Sequence, residues 1–197
     1  MANLMENTWV FLDAGYLNKI AKYFGGGQPI GYDINQFAIT LAKANNLWCK
    51  GVFYYTAPPY QSSRPTPDEA DRKRKYDRFI SKLNKIPDFT VREGRCQKQD
   101  GGQYVQKGVD TLLVMDLLSC KEKGIKTIVV LACDTDFVPV LNKLRKEHGI
   151  KIILAYFSDY KRRSEFSMSN HILTACDFKF LVQKEHFDAP QFHLDGK

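Results

Sequence analysis

The distribution of apolar and polar positions along the chain divides it into alternating strands and helices. Residues 8–12, Thr-Trp-Val-Phe-Leu, form a short apolar run that ends on Asp13 and predicts a buried strand. A helix over 14–24 follows and stops at Gly25-Gly26-Gly27. Asp33 or Asn35 is placed to cap a second helix over 36–45, with Phe37, Ile39, Leu41 and Ala42 available for burial. A second strand is expected over 51–56, then a proline-rich surface loop over 57–67. The spacing of Tyr76, Phe79, Ile80 and Leu83 predicts a charged helix over 68–83. A third strand is expected over 89–92, with an extension to Cys96 left open, and residues 97–107, polar and containing glycine, read as a loop.

The second half continues the alternation. An apolar helix over 109–120 ends at Gly124. Strands are expected over 127–131 and 151–156, with a helix over 136–147 between them. A helix near 165–175 and a short segment over 178–181 close the pattern, and the chain beyond Glu185 reads as a loose tail. The continuous apolar runs at 127–131 and 151–156 imply a mainly parallel sheet of about five strands, covered on both faces. No internal repeat or domain boundary interrupts residues 1–185, so one domain is expected, with 186–197 as its tail.

Strand order turns two aspartates into a candidate site. In a doubly wound sheet the order reverses beside the first strand, and the crevice at the carboxyl ends of the strands there binds ligands. Asp13 leaves the first strand, and Asp134 follows the strand over 127–131 by two residues. Asp136 comes two residues later, and Asp110 opens the helix whose entry end faces the same edge. Four carboxylates in one crevice repel each other, and a divalent cation reverses that cost. An all-oxygen set without a His or Cys constellation favours Mg²⁺ or Mn²⁺. The chemistry suited to it is hydrolysis of a phosphodiester by a metal-activated water. Each aspartate also has a plainer role. Asp13 can cap the helix at 14–24, Asp134 or Asp136 the helix after it, and Asp110 can complement a helix dipole. Asp116, about 120° around the helix from Asp110, either faces solvent or reaches the crevice.

Three segments carry a family resemblance. They are residues 10–17 (Val-Phe-Leu-Asp-Ala-Gly-Tyr-Leu), residues 107–110 (Lys-Gly-Val-Asp) with Asp116, and residues 130–137 (Val-Leu-Ala-Cys-Asp-Thr-Asp-Phe). Together they resemble the motifs of the NYN domain, which includes the LabA-like proteins and belongs to the PIN-like nucleases. The resemblance spans roughly residues 8–181. It implies a three-layer α/β/α, Rossmann-like fold and metal-dependent nuclease activity, usually on RNA, single-stranded or structured. The family's metal acids map onto Asp13, Asp110 and Asp134, with Asp136 as the usual additional acid. Two positions depart from the pattern: Tyr16 stands where many members have Asn, and Cys133 where they have Gly.

Charge and composition adjust this picture modestly. The chain of 197 residues carries a formal net charge of +7, which suits a polyanionic partner. Lys161, Arg162 and Arg163 follow the strand over 151–156 on the metal-site edge and are candidate phosphate contacts, and Lys107 is another. The basic residues between Arg64 and Arg78 are interleaved with Asp68, Glu69, Asp71 and Asp77, and read as a solvated helix face rather than a binding surface. Tyr54 and Tyr55 read as core. Five scattered cysteines, no secretory signal and no run of membrane-spanning length point to a cytoplasmic protein with reduced thiols and no membrane partner. Self-association into a homo-oligomer is compatible with this reading. The alternative function is a non-catalytic nucleic-acid or protein-binding module on the same fold. A phosphatase of the haloacid-dehalogenase type is disfavoured, because its second Asp would fall at Gly15.

Overall fold

The computed structural model describes residues 5–159, 166 and 168–188. Strand β1 (Glu6–Asp13) leads into helix α1 (Ala14–Phe24), helix α2 (Ile34–Ala44), β2 (Leu47–Thr56) and α3 (Pro67–Leu83). Next come β3 (Phe89–Glu93), β4 (Arg95–Lys98), β5 (Tyr104–Lys107), α4 (Val109–Ser119) and β6 (Thr127–Leu131). The chain closes with α5 (Val138–His148), β7 (Lys151–Tyr156), α6 (Asn170–Ala175) and β8 (Phe178–Leu181). No helix among the described residues is long and apolar enough to cross a membrane.

Six strands form one parallel sheet in the order β3-β2-β1-β6-β7-β8. The order reverses between β1 and β6, as in doubly wound folds. The central strands are apolar on both faces: Val10, Phe11 and Leu12 of β1 and the whole of β6 are buried. Leu12, Leu131 and Tyr54 point to the side of α1, α2 and α3. Phe11, Val130 and Tyr55 point to the side of α4, α5 and α6. The result is the expected three-layer α/β/α arrangement. Tyr54 and Tyr55 are both buried, as their place in an apolar strand predicts. Phe11 stacks on Phe53 at 5.0 Å between ring centroids.

Three elements differ from expectation. The segment 178–181 is a sixth sheet strand, paired through Ile153 opposite Phe178. Where a helix is expected near 165–175, the described residues form one over Asn170–Ala175, its first turn capped by the Ser169 hydroxyl. The expected loop over 97–107 holds the end of one arm, the turn and the return arm of an antiparallel hairpin, β4 with β5, registered from Arg95 opposite Lys107 to Lys98 opposite Tyr104. Its faces are mostly solvated, so no apolar alternation marked it, although Asp100-Gly101-Gly102 is a turn signal between the two arms. Tyr104 meets Tyr60 of the proline-rich loop at 5.2 Å between ring centroids. At the other end of the chain Phe187 is buried against Phe37 at 4.6 Å between ring centroids, so packed structure runs past residue 186.

Two glycines seat the hairpin against α4. A Cβ on Gly94 would lie 2.5 Å from the Lys107 carbonyl oxygen and 2.6 Å from Val109 Cγ2, so only hydrogen fits there. Gly108, just before α4, holds φ at 82°, a conformation costly for a residue with a Cβ. Deeper along α4, Asp116 joins three elements. Arg92 of β3 donates to it twice, Nε to Oδ2 at 2.8 Å and Nη2 to Oδ1 at 2.7 Å. The Tyr55 hydroxyl of β2 donates to Oδ2 at 3.0 Å. The two sequence-level alternatives for Asp116, solvent or crevice, thus give way to a third: it ties α4 to the sheet.

Removing a buried carboxylate leaves the Tyr55 hydroxyl and Arg92 without their partner, while the half-exposed guanidinium recovers part of the loss from water. Asp116→Ala is therefore expected to lower unfolding free energy by about 2–3 kcal/mol in urea melts.

Candidate metal centre at the carboxyl edge of the sheet

Register fixes the first pair. Leu12 lies opposite Leu131 across the β1–β6 pairing, so Asp13 and the segment Ala132-Cys133-Asp134 leave the sheet side by side. Asp13 is half-buried and caps α1: its Oδ1 accepts from the N–H of Gly15 at 2.8 Å and of Tyr16 at 3.4 Å. Asp134 is exposed and caps a single 3₁₀ turn at Thr135–Phe137, its Oδ1 accepting from the N–H of Asp136 at 2.9 Å. Neither Asp134 nor Asp136 caps the helix that follows: α5 starts at Val138 with Phe137 at its N-cap and no side-chain cap, and the Asp134 carboxylate serves the short 3₁₀ turn before it. Each cap engages one carboxylate oxygen and holds the group in a fixed orientation.

Asp110 and Asp136 complete the constellation. Asp110 lies in the first turn of α4, which runs antiparallel to the strands and opens at the same edge. Asp136 is exposed within the 3₁₀ turn. The electrostatics record their proximity. Burial raises the Asp13 carboxyl above the usual carboxylate range, and the charges of Asp110 and Asp134 add to this, against the backbone hydrogen bonds from Tyr16 and Gly15. Asp110 is raised by burial, then by Asp134 and Asp136. The Cys133 thiol between them is pushed up to about 11, by burial first and then by Asp13, which leaves it a protonated, unreactive group at neutral pH.

The donor set is all carboxylate and suits a hard cation. Among the described residues no three His, Cys, Asp or Glu side chains close into a finished metal cage. Such openness is compatible with Mg²⁺, which keeps several waters and binds through one or two carboxylates together with substrate phosphates. The mutual repulsion at Asp13 and Asp110 is the observation that a cation would relieve.

Tyr16 accounts for one departure from the family pattern. Its ring is buried, its hydroxyl donates to the Phe157 carbonyl at 3.2 Å and accepts from the Phe157 N–H at 2.8 Å. The side chain thus clamps α1 to the exit of β7. Lys107 is exposed at the end of β5, three residues before Asp110, and so reaches the same edge. Lys161, Arg162 and Arg163 lie outside the described residues. On α3 the interleaved charges pair as a solvated flank would, Lys73 with Asp77 at 2.6 Å and Arg74 with Asp71. Arg92 carried no sequence signal, because its partner Asp116 is 24 residues away and on another element.

The comparisons with known proteins agree with this architecture. No curated protein matches the chain. A crystal structure of a protein of unknown function from Vibrio parahaemolyticus superposes with a TM-score of 0.59 over 95% of this chain and 98% of that one, at 13% identity, a likeness of fold alone. The sequence model of the NYN domain matches residues 7–184. With β1 and β6 adjacent and the aspartates gathered at their exits, that match covers nearly the whole molecule, and the chain belongs to the NYN domain family of PIN-like nucleases.

Proposed function

We propose that this protein is a divalent-metal-dependent ribonuclease that hydrolyses RNA phosphodiester bonds at Asp13, Asp110, Asp134 and Asp136. The observation that carries the reading is the electrostatic coupling of Asp13, Asp110 and Asp134 at the point where the strand order reverses. Mg²⁺ or Mn²⁺ bound there would acidify a water and offset charge on the phosphate. The chain's own part is orientation. The caps hold Oδ1 of Asp13 and of Asp134 on backbone N–H groups, so the second oxygen of each is the one a cation would take. Capping and metal binding are thus compatible roles of one residue. Asp110 enters on a helix anchored through Asp116, and Asp136 adds negative charge beside it.

Lys107, at the entry to α4, and Lys161, Arg162 and Arg163, which follow β7 in sequence, are proposed as phosphate contacts. All five cysteines are free thiols, which fits a cytoplasmic setting. The Tyr16 departure motivates a second reading, a non-catalytic nucleic-acid or protein-binding module on the same fold.

Two outcomes separate these readings. Asp134→Asn preserves the cap, since Asn caps as well as Asp, and is expected to reduce Mn²⁺-dependent cleavage of labelled RNA by at least ~100-fold. Equal cleavage by wild type and variant would sink the ribonuclease reading. Stability supplies the other check. A carboxyl raised in the folded state contributes stability below its ordinary range and loses it as pH rises through the raised value, so at pH 7 the metal-free cluster is a cost. Asp13→Asn keeps the α1 cap and removes one of the charges. In EDTA its Tm should exceed that of wild type by ~2–4 °C, the response to about 1 kcal/mol in a chain of this size. Added Mn²⁺ should stabilise wild type more than the variant.

A further inference from the structure

A cavity of about 630 Å³ opens beside the acid cluster, on the α1 and α3 side of the sheet. That volume is in the range of small-molecule sites. Its inner wall includes Tyr54 and Thr56 of β2, which flank Tyr55, the register partner of Asp13. None of the four aspartates lines the cavity, but the pairing of Asp13 with Tyr55 sets its Tyr54 and Thr56 wall next to them. Its outer wall is one stripe of α3, Arg72, Lys75, Tyr76 and Phe79, at helical spacing. Asn18 of α1 and Gln106 of β5 also line it, and both carry amides.

The lining combines three kinds of chemistry. Phe79 is 37% exposed on a helix that is otherwise strongly polar, which puts an apolar ring face at the cavity wall. Tyr76 is fixed by its hydroxyl, which donates to Glu93 Oε1 at 2.8 Å. Arg72 and Lys75 supply positive charge: Arg72 Nε donates to the Asp68 carbonyl at 3.3 Å, and Lys75 pairs with Asp71 at 2.7 Å. The amides of Asn18 and Gln106 offer both donors and acceptors. Rings for stacking, cations for a backbone and amides for a base edge are what an unpaired nucleotide needs, and a base held inside a duplex cannot present its face to them. The charged segment of α3, which its sequence marks as a solvated face, thus has two flanks. One carries Lys73, Arg74 and Asp77, and the other, with Arg72 and Lys75, lines the cavity; Asp71 pairs with both Arg74 and Lys75 and so lies between them.

Resting on the ribonuclease reading, we infer that this cavity holds one nucleotide of the RNA, its base beside Phe79 and a phosphate beside Arg72, next to the phosphodiester at the acid cluster. The test measures binding apart from cleavage. A fluorescein-labelled single-stranded RNA of roughly 12 nucleotides, within the span of single-strand sites, is titrated with the full chain in EDTA and followed by anisotropy. Arg72→Glu and Phe79→Ala should each weaken binding by ~5-fold or more, the scale of one stacking or phosphate contact. Arg74→Glu makes the same charge change on the other flank and should alter it by less than ~2-fold. Arg72 lies on the cavity surface, so its variant stands even if Phe79→Ala proves unstable. Equal losses from Arg72→Glu and Arg74→Glu would mean diffuse attraction and overturn the inference. Normal binding by both Arg72→Glu and Phe79→Ala, with cleavage still abolished by Asp134→Asn, would also overturn it while leaving the nuclease intact. Selective loss in the cavity variants, in a chain that never cleaves RNA with Mn²⁺, would support the cavity and remove the nuclease.

Discussion

Leu12 of β1 lies opposite Leu131 of β6, and the placement of the candidate site depends on that pairing. The sheet order turns around at this boundary, so helices from both layers diverge and leave a crevice at the carboxyl edge. Asp13 and Asp134, 121 positions apart in sequence, come to the crevice because each follows a buried strand directly or within a few residues. The burial of β1 and β6 on both faces makes a slip in register expensive, since it would displace an apolar core on each side. The location of the carboxylates is therefore secured by hydrophobic packing some distance away, and their mutual repulsion is small beside it.

The remaining parts hold the edge in shape. The backbone caps orient Asp13 and Asp134. The Arg92–Asp116–Tyr55 network fastens α4, and with it Asp110, to β2 and β3. Gly94 and Gly108 allow the hairpin and α4 to meet without a gap. Tyr16 is buried in the core, where its hydroxyl bridges to Phe157.

Most of the fold can be inferred from sequence because buried parallel strands leave continuous apolar runs. Residues 127–131 and 151–156 are of this kind, and β6 and β7 match them in full. The position of Asp13 and Asp134 follows from strand order, and their gathering needs no more than that. What remained hidden lacks such a signature. The β4–β5 hairpin is solvated on most positions, so it has no apolar period to detect. The role of Asp116 depends on partners from two other elements, which no local pattern encodes. The α3 stripe was masked by its neighbours: Arg72 and Lys75 sit among acids in sequence, and only the helix geometry brings them onto one wall with Tyr76 and Phe79.

The central claim is that the edge of β1 and β6 holds a divalent ion between its aspartates. Crystals soaked in Mn²⁺ and measured at a wavelength where manganese scatters anomalously test it most directly. The account predicts an anomalous peak between Asp13 and Asp134, with Asp110 within coordination distance, and its loss in Asp134→Asn crystals soaked in the same way. An empty crevice at millimolar Mn²⁺, or a peak that survives the substitution unchanged, would contradict it.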